Sequence, residues 1–150
     1  MVVAAILAVS LVILTFLFHF AVLRWLSGGM ARIAMTAGVR ILVIVIAALA
    51  AHLIEIGLYA VAYALGDGVL ALGGFGGLGG AEPLDYLYFS IVSYTSLGLG
   101  DVFPSGHLRF ITGVEALNGL LLIAWSGSFI YIAMGRLWPW RSCGLPESRF

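Results

Sequence analysis

Residues 93–104 read "SYTSLGLGDVFP". They lie between long apolar runs and place hydroxyls, two glycines one residue apart, an aspartate and a proline within a few positions. The rest of the chain says what kind of protein carries this interruption. Of its 150 residues 63% are hydrophobic and 9% are charged, far too few charges to cover a soluble domain of this size. The expected class is an all-α integral membrane protein. The formal net charge is zero, which gives no case for nucleic acid as a partner. The single cysteine, Cys143, has no intrachain partner and no metal-site spacing around it.

Three segments are long enough to cross about 30 Å of hydrocarbon, which takes roughly 20 helical residues. They are Val2–Leu23, Ile41–Leu65 with His52 and Glu55, and Phe110–Leu137 with Glu115 and Asn118. The first lacks a basic leader and is longer than a cleaved signal's apolar region of about 7–15 residues, so it is expected to be retained. Arg24, Arg32 and Arg40 lie in the linker after it, and Arg136, Arg141 and Arg149 beside Glu147 lie in the tail. The segment 66–108 instead holds Asp67, Glu82, Asp85 and Asp101. The positive-inside rule then puts the linker and C-terminus in the cytoplasm and the N-terminus outside, in the plasma (inner) membrane. Trp25, Trp138 and Trp140 fall at the cytoplasmic boundaries, where interfacial aromatics belong.

The external segment has two halves. "GDGVLALGGFGGLGG", residues 66–80, lacks the features of a nucleotide-binding loop and reads as a flexible connector. After it Pro83, with Glu82 and Asp85 near the positive end of the dipole, suits a helix start. Leu84, Leu87, Tyr88, Ile91 and Val92 recur at helical spacing. The spacing predicts a helix over Pro83–Tyr94, too short to span a bilayer. A short helix, an irregular segment and then a spanning helix make a re-entrant loop. Irregular backbone at membrane depth must be buried in protein or line a wet cavity, and dehydrated cations can satisfy its carbonyls when several chains surround one axis. Gly98 and Gly100 tolerate positive φ and so can aim successive carbonyls one way. The Ser96 hydroxyl adds an oxygen, and Asp101 stands at the outer mouth.

"TSLGLGD", followed by a proline and a further spanning helix, resembles the potassium-channel pore loop. Set against the family pattern Thr-Val-Gly-Tyr-Gly-Asp, Ser96 replaces threonine, Leu97 valine and Leu99 tyrosine, while Gly98, Gly100 and Asp101 match. Related two-pore-domain channels also carry Gly-Leu-Gly. The resemblance covers residues 57–133. It implies a homotetramer in membrane lipid, with potassium ions held by Ser96, Leu97, Gly98, Leu99 and Gly100 and no other cofactor. It assigns filter support to Tyr88 and Phe89 as an aromatic cuff, to Thr95 and Asp101, and to Glu115 as a strut toward the pore loop. Gly119 and Gly127 are its candidate gating hinges, with close helix packing as the alternative for both. Asn118, Ser126 and Ser128 either face the cavity or bond between helices, Ser128 being the favoured cavity residue. On this reading residues 1–40 are an added helix and linker, 41–137 the pore domain, and 138–150 a short cytoplasmic tail. The added helix pads the outer helix against lipid or an adjacent subunit.

Leu99 and Ser96 loosen the match, so a non-selective monovalent cation channel stands as the alternative. A non-conducting accessory subunit is the reading from another class. No row of arginines within a helix marks a voltage sensor, and the tail is too short for a ligand-binding domain. Ser105 and His107 beside Asp101 belong to a loop, so no enzyme is expected. His52 and Glu55 share one helical face. They form a pH-sensitive pair or a metal site, or they satisfy each other, Glu115 or Asn118; the last is favoured. His19 is expected to pack between helices.

Overall fold

The computed structural model describes residues 1–29, 33–77 and 82–137. Arg32, Trp138, Trp140, Arg141, Cys143, Glu147 and Arg149 lie outside the described residues. Three helices are long and apolar enough to cross a membrane: α1 (Val2–Gly28), α2 (Ala37–Gly68) and α4 (Leu108–Leu137). Each runs a few residues past its apolar core. Arg24 therefore lies within α1 and Arg40 in the first turn of α2, not in a loop. The Arg40 guanidinium donates to the Ile33 carbonyl at 3.0 Å.

α1 is apolar all round, as a lipid-facing helix must be, so its packing seam is marked by side-chain size. Ala4, Ala8, Leu11, Thr15, His19, Leu23 and Leu26 are buried, at steps of three or four residues along one stripe. The small residues let the backbones approach, while Ile6, Ile13 and Leu17 stay exposed. The stripe does more than pad α2, because it is hydrogen-bonded to α4 as well. Asn118 Nδ2 donates to Thr15 Oγ1 at 2.8 Å, and Ser126 Oγ lies 3.0 Å from His19 Nε2.

The short helix α3 spans Pro83–Tyr94, as its sequence signals predict. The Glu82 amide donates to Asp85 Oδ2 at 3.3 Å in a reciprocal capping box, with Pro83 in the first turn. Two short strands, β1 (Phe75–Gly77) and β2 (Val102–Pro104), pair antiparallel with Gly77 opposite Val102. This corrects the reading of residues 66–80 as a flexible connector. The chain up to Gly77 is laid along the exit from the 95–101 loop, and residues 78–80 lie outside the described ones. Gly77 adopts φ +113°, and a Cβ there would run into the Asp101 carbonyl. Glycine here serves close approach rather than looseness.

The apolar stripe expected on α3 is buried only in part: Val92 is buried and Leu87 packs against the core. Leu84, Tyr88 and Ile91 remain exposed, Leu84 at 73%. Its hydroxyl residues Tyr86, Ser90 and Tyr94, four apart, form the seam against α2 and α4. Tyr86 donates to Asp67 Oδ2 at 2.7 Å, Ser90 Oγ lies 2.9 Å from the Ile56 carbonyl, and Tyr94 donates to Glu55 Oε2 at 2.5 Å. Two acids and a carbonyl thus hold α3 alongside its buried Phe89 and Val92.

Candidate functional site

The site begins where α3 ends. Thr95 closes the helix, its hydroxyl donating to the Ile91 carbonyl at 2.7 Å. The backbone then alternates in hand. Ser96, Gly98 and Gly100 have φ of +57°, +59° and +78°, and the intervening Leu97 and Leu99 do not. Alternation of this kind turns successive peptide carbonyls toward one side of the strand. The amides face the other way: Ser96 N–H donates to the Ser93 carbonyl at 2.9 Å, and those of Leu97 and Gly98 to the Val92 carbonyl at 2.9 and 3.3 Å. Among the described residues, nothing donates to the carbonyls of residues 96–100. All five residues are exposed, so these acceptors take their partners from outside the chain, water or a bound cation. No Cβ contact limits Gly98 or Gly100, so their φ, not space within the chain, calls for glycine. Ser96 holds its left-handed conformation at a cost of about 1–2 kcal/mol.

Asp101 fastens the far end of the loop. Tyr88 donates to its Oδ2 at 2.6 Å, and the Val102 amide donates to Oδ1 at 3.0 Å. The Tyr88 hydrogen bond holds the Asp101 carboxyl below the usual carboxylate range, and the carboxylate in turn raises the Tyr88 phenol. The signs give a window. Stability from the lowered Asp101 is fully present above its unfolded value of about 3.9 and is lost as pH falls through the folded one. Stability from the raised Tyr88 is present below about 10 and is lost at higher pH. Tyr88→Phe is therefore expected to lower thermal stability slightly at neutral pH and to flatten the acid limb of the melting profile. A limb as steep as in the parent protein would show that this bond contributes nothing.

Behind the loop, α3 rests on two buried acids. Glu115 of α4 lies 2.6 Å through Oε1 from Ser90 Oγ and accepts at Oε2 from Tyr63 at 2.5 Å. Glu55 of α2 meets His19, His52 and Tyr94. Gly119 of α4 faces the Tyr94 carbonyl so closely that a Cβ would overlap it.

A protein-family model described as an ion channel matches residues 41–136, from α2 through α4. The chain belongs to this ion-channel family. The family is the two-transmembrane-helix, potassium-channel-like one, and α1 lies outside the matched stretch. No curated protein and no solved structure gives a significant match. With its three apolar helices, this channel is an integral membrane protein.

Several residues expected at the channel's working parts lie elsewhere. The aromatic pair is divided: Tyr88 reaches Asp101, but Phe89 is buried against the Tyr63 and Phe75 rings, centroids 5.1 and 4.9 Å away. Phe89 is a core residue, packed on the side of α3 away from Tyr88. Asn118 faces no cavity; it is buried, donating to Thr15 and to Tyr59 at 2.8 and 3.1 Å. Ser126 is likewise interhelical. Ser128 is exposed and donates to the Ala124 carbonyl at 2.9 Å. Gly119 is a packing glycine against α3, while Gly127 has open space where a Cβ would stand. Glu115 reaches α3 through Ser90 and not the loop itself. His52 and Glu55 do pair, at 3.1 Å, but with His19 and Tyr94 rather than Glu115 or Asn118. His19 packs between helices as expected; the sequence reading missed its pairing with Glu55 and the role of Tyr94. Their signal lies in the pairing rule for intramembrane acids: hydroxyls four residues apart on α3 match acids available on its neighbours.

Proposed function

We propose that four copies of this channel surround one axis and pass potassium through a filter made by the carbonyls of Ser96, Leu97, Gly98, Leu99 and Gly100. The observation that carries this reading is the row of carbonyls without donors, on a backbone of alternating hand, directly after the C-terminal end of a short helix. Dehydrated monovalent cations suit such oxygens, and the negative end of the α3 dipole favours a cation below them. One chain supplies one such row, so ion coordination needs further copies. The exposed Leu84, Tyr88 and Ile91 edge of α3, together with Leu117, Leu120 and Leu121 on α4, supplies apolar surface for that assembly. In this reading α3 is a re-entrant pore helix, residues 41–137 form the pore domain and α4 lines the pore. The N-terminus is external, the C-terminus is cytoplasmic, and the plasma membrane is the place of action. A non-selective cation channel is the second reading, favoured by Leu99, which is 60% exposed and carries no hydroxyl to brace the filter.

Potassium is expected to raise the melting temperature of the purified tetramer relative to sodium. Gly98→Ala removes that difference, because alanine at φ +59° is strained by about 1–2 kcal/mol and would turn the carbonyls. A potassium effect that survives Gly98→Ala contradicts the filter assignment, and a mass other than four chains contradicts the assembly.

A further inference from the structure

A second constellation lies outside the proposed conduction path. His19 of α1 and His52 and Glu55 of α2 bring two ring nitrogens and a carboxylate oxygen within 4.8 Å of one another. His19 Nδ1 is 2.9 Å from Glu55 Oε1, and His52 Nδ1 is 3.1 Å from Oε2. The Tyr94 hydroxyl lies 2.9 Å from the same His52 nitrogen. The side chains of His19 and Glu55 are fully buried, while that of His52 keeps 14% exposure, which gives an entry path from one side.

Among the described residues no arginine pairs with Glu55; its ion-pair partners are the two histidines. A buried carboxylate with two imidazoles against it is a donor set that a divalent cation can also satisfy. The spacing suits a metal. Donors of a tetrahedral zinc, with bonds of about 2.0–2.2 Å to nitrogen and oxygen, stand roughly 3.3–3.6 Å apart; the two histidine–Glu55 separations are a few tenths shorter, and all the donors lie within 4.8 Å of one another. The outer contacts suit one too. A metal-binding imidazole ordinarily directs its other nitrogen to a fixed polar partner, and His19 Nε2 has Ser126 Oγ at 3.0 Å. The Trp125 ring packs on His19, centroids 5.6 Å apart, and walls the cluster with apolar surface.

We propose that His19, His52 and Glu55 form a binding site for a divalent first-row transition metal, zinc the best fit, with the fourth position open to the Tyr94 hydroxyl. Two imidazoles and one carboxylate favour zinc and its neighbours over calcium or magnesium, which prefer all-oxygen shells. The bound metal would fasten α1, α2 and the last residue of α3 at one point, directly before the 95–101 loop. That gives the added helix a task beyond packing.

The test reads metal rather than current, so its failure would leave the conduction reading standing. Tag-free protein in detergent is equilibrated with zinc, separated from free metal and analysed for zinc per chain. Cobalt is substituted in parallel and its visible absorption recorded. About one zinc per chain and the intense bands of tetrahedral cobalt are expected. His52→Gln, at the partly exposed ligand, should abolish both while the protein keeps its helical circular dichroism. Ser126→Ala should weaken zinc affinity about 10–100-fold by freeing the His19 ring. His107→Gln, in the exposed loop, should change nothing. Unmodified protein that holds no stoichiometric zinc, or His52→Gln protein that binds it as well as the parent, overturns the proposal.

Discussion

Gly119→Val is expected to abolish the folded channel, whereas Gly127→Ala leaves it intact. Both glycines lie in α4, two turns apart, but they meet different surroundings. At Gly119 a Cβ would overlap the Tyr94 carbonyl, and the Tyr94 ring is also within contact. The obstacle is backbone at the end of α3, which cannot swing aside as a side-chain tip can. Overpacking a tight site costs about 1–3 kcal/mol, and valine adds two further methyls. The strain falls on the residues that lead into the loop, so α3 must either shift or detach. Nothing lies within 4 Å of a Cβ at Gly127, and alanine in a helix interior is more stable than glycine by about 0.5–1 kcal/mol. Detergent extraction and thermal melting should therefore show little or no assembled Gly119→Val and a Gly127→Ala that melts at or above the parent temperature. Normal assembly of Gly119→Val would contradict the close packing of α4 on α3. If Gly127 is the gating hinge, its alanine variant should open less often; an unchanged open probability would leave α4 without a glycine hinge there.

Glu115→Gln is expected to be nearly neutral, while Glu115→Ala loses about 2–4 kcal/mol. The difference follows from counting hydrogens. Ser90 Oγ lies within bonding distance of both the Ile56 carbonyl and Glu115 Oε1, yet a serine hydroxyl has one hydrogen. If it donates to Ile56, the Glu115 carboxyl must donate to Ser90, while Tyr63 donates to the other oxygen. A neutral carboxylic acid closes that count without leaving a charge between α2, α3 and α4. Glutamine reproduces it, amide nitrogen to Ser90 and amide oxygen from Tyr63. Alanine leaves a cavity and takes one partner from the Ser90 hydroxyl on α3 and one from the Tyr63 hydroxyl on α2. The measurement is denaturation of the three proteins under one set of conditions. A glutamine variant as unstable as the alanine one would show that Glu115 works as a buried anion.

These two residues mark where the sequence was readable and where it was not. The spans, the limits of α3 and the special φ of Gly98 and Gly100 follow from local rules: run length, the Glu82–Pro83–Asp85 start and the freedom of glycine. Which way a helix faces was less readable, because periodicity has little contrast when lipid-facing and protein-facing positions are both apolar. On α1 the seam is set by Ala4, Ala8, Thr15 and His19, small or polar among large aliphatics. On α3 the Leu84, Tyr88 and Ile91 stripe remains open, and the hydroxyls of Tyr86, Ser90 and Tyr94 do the internal holding. Buried acids reverse the usual rule, since their donors must come inward with them. The β1–β2 pair was hidden for another reason. A glycine-rich run reads as flexible unless the partner strand that it must approach is known.

The central claim is that the carbonyls of residues 96–100 replace the water around potassium. Its most direct test is the reversal potential of the purified protein in a planar bilayer, with potassium on one side and an equal concentration of sodium on the other. A strongly shifted potential, of the sign set by potassium flowing down its gradient, is expected, with no such current from Gly98→Ala. A reversal near zero would contradict potassium selection, and no current from correctly assembled protein would contradict conduction itself.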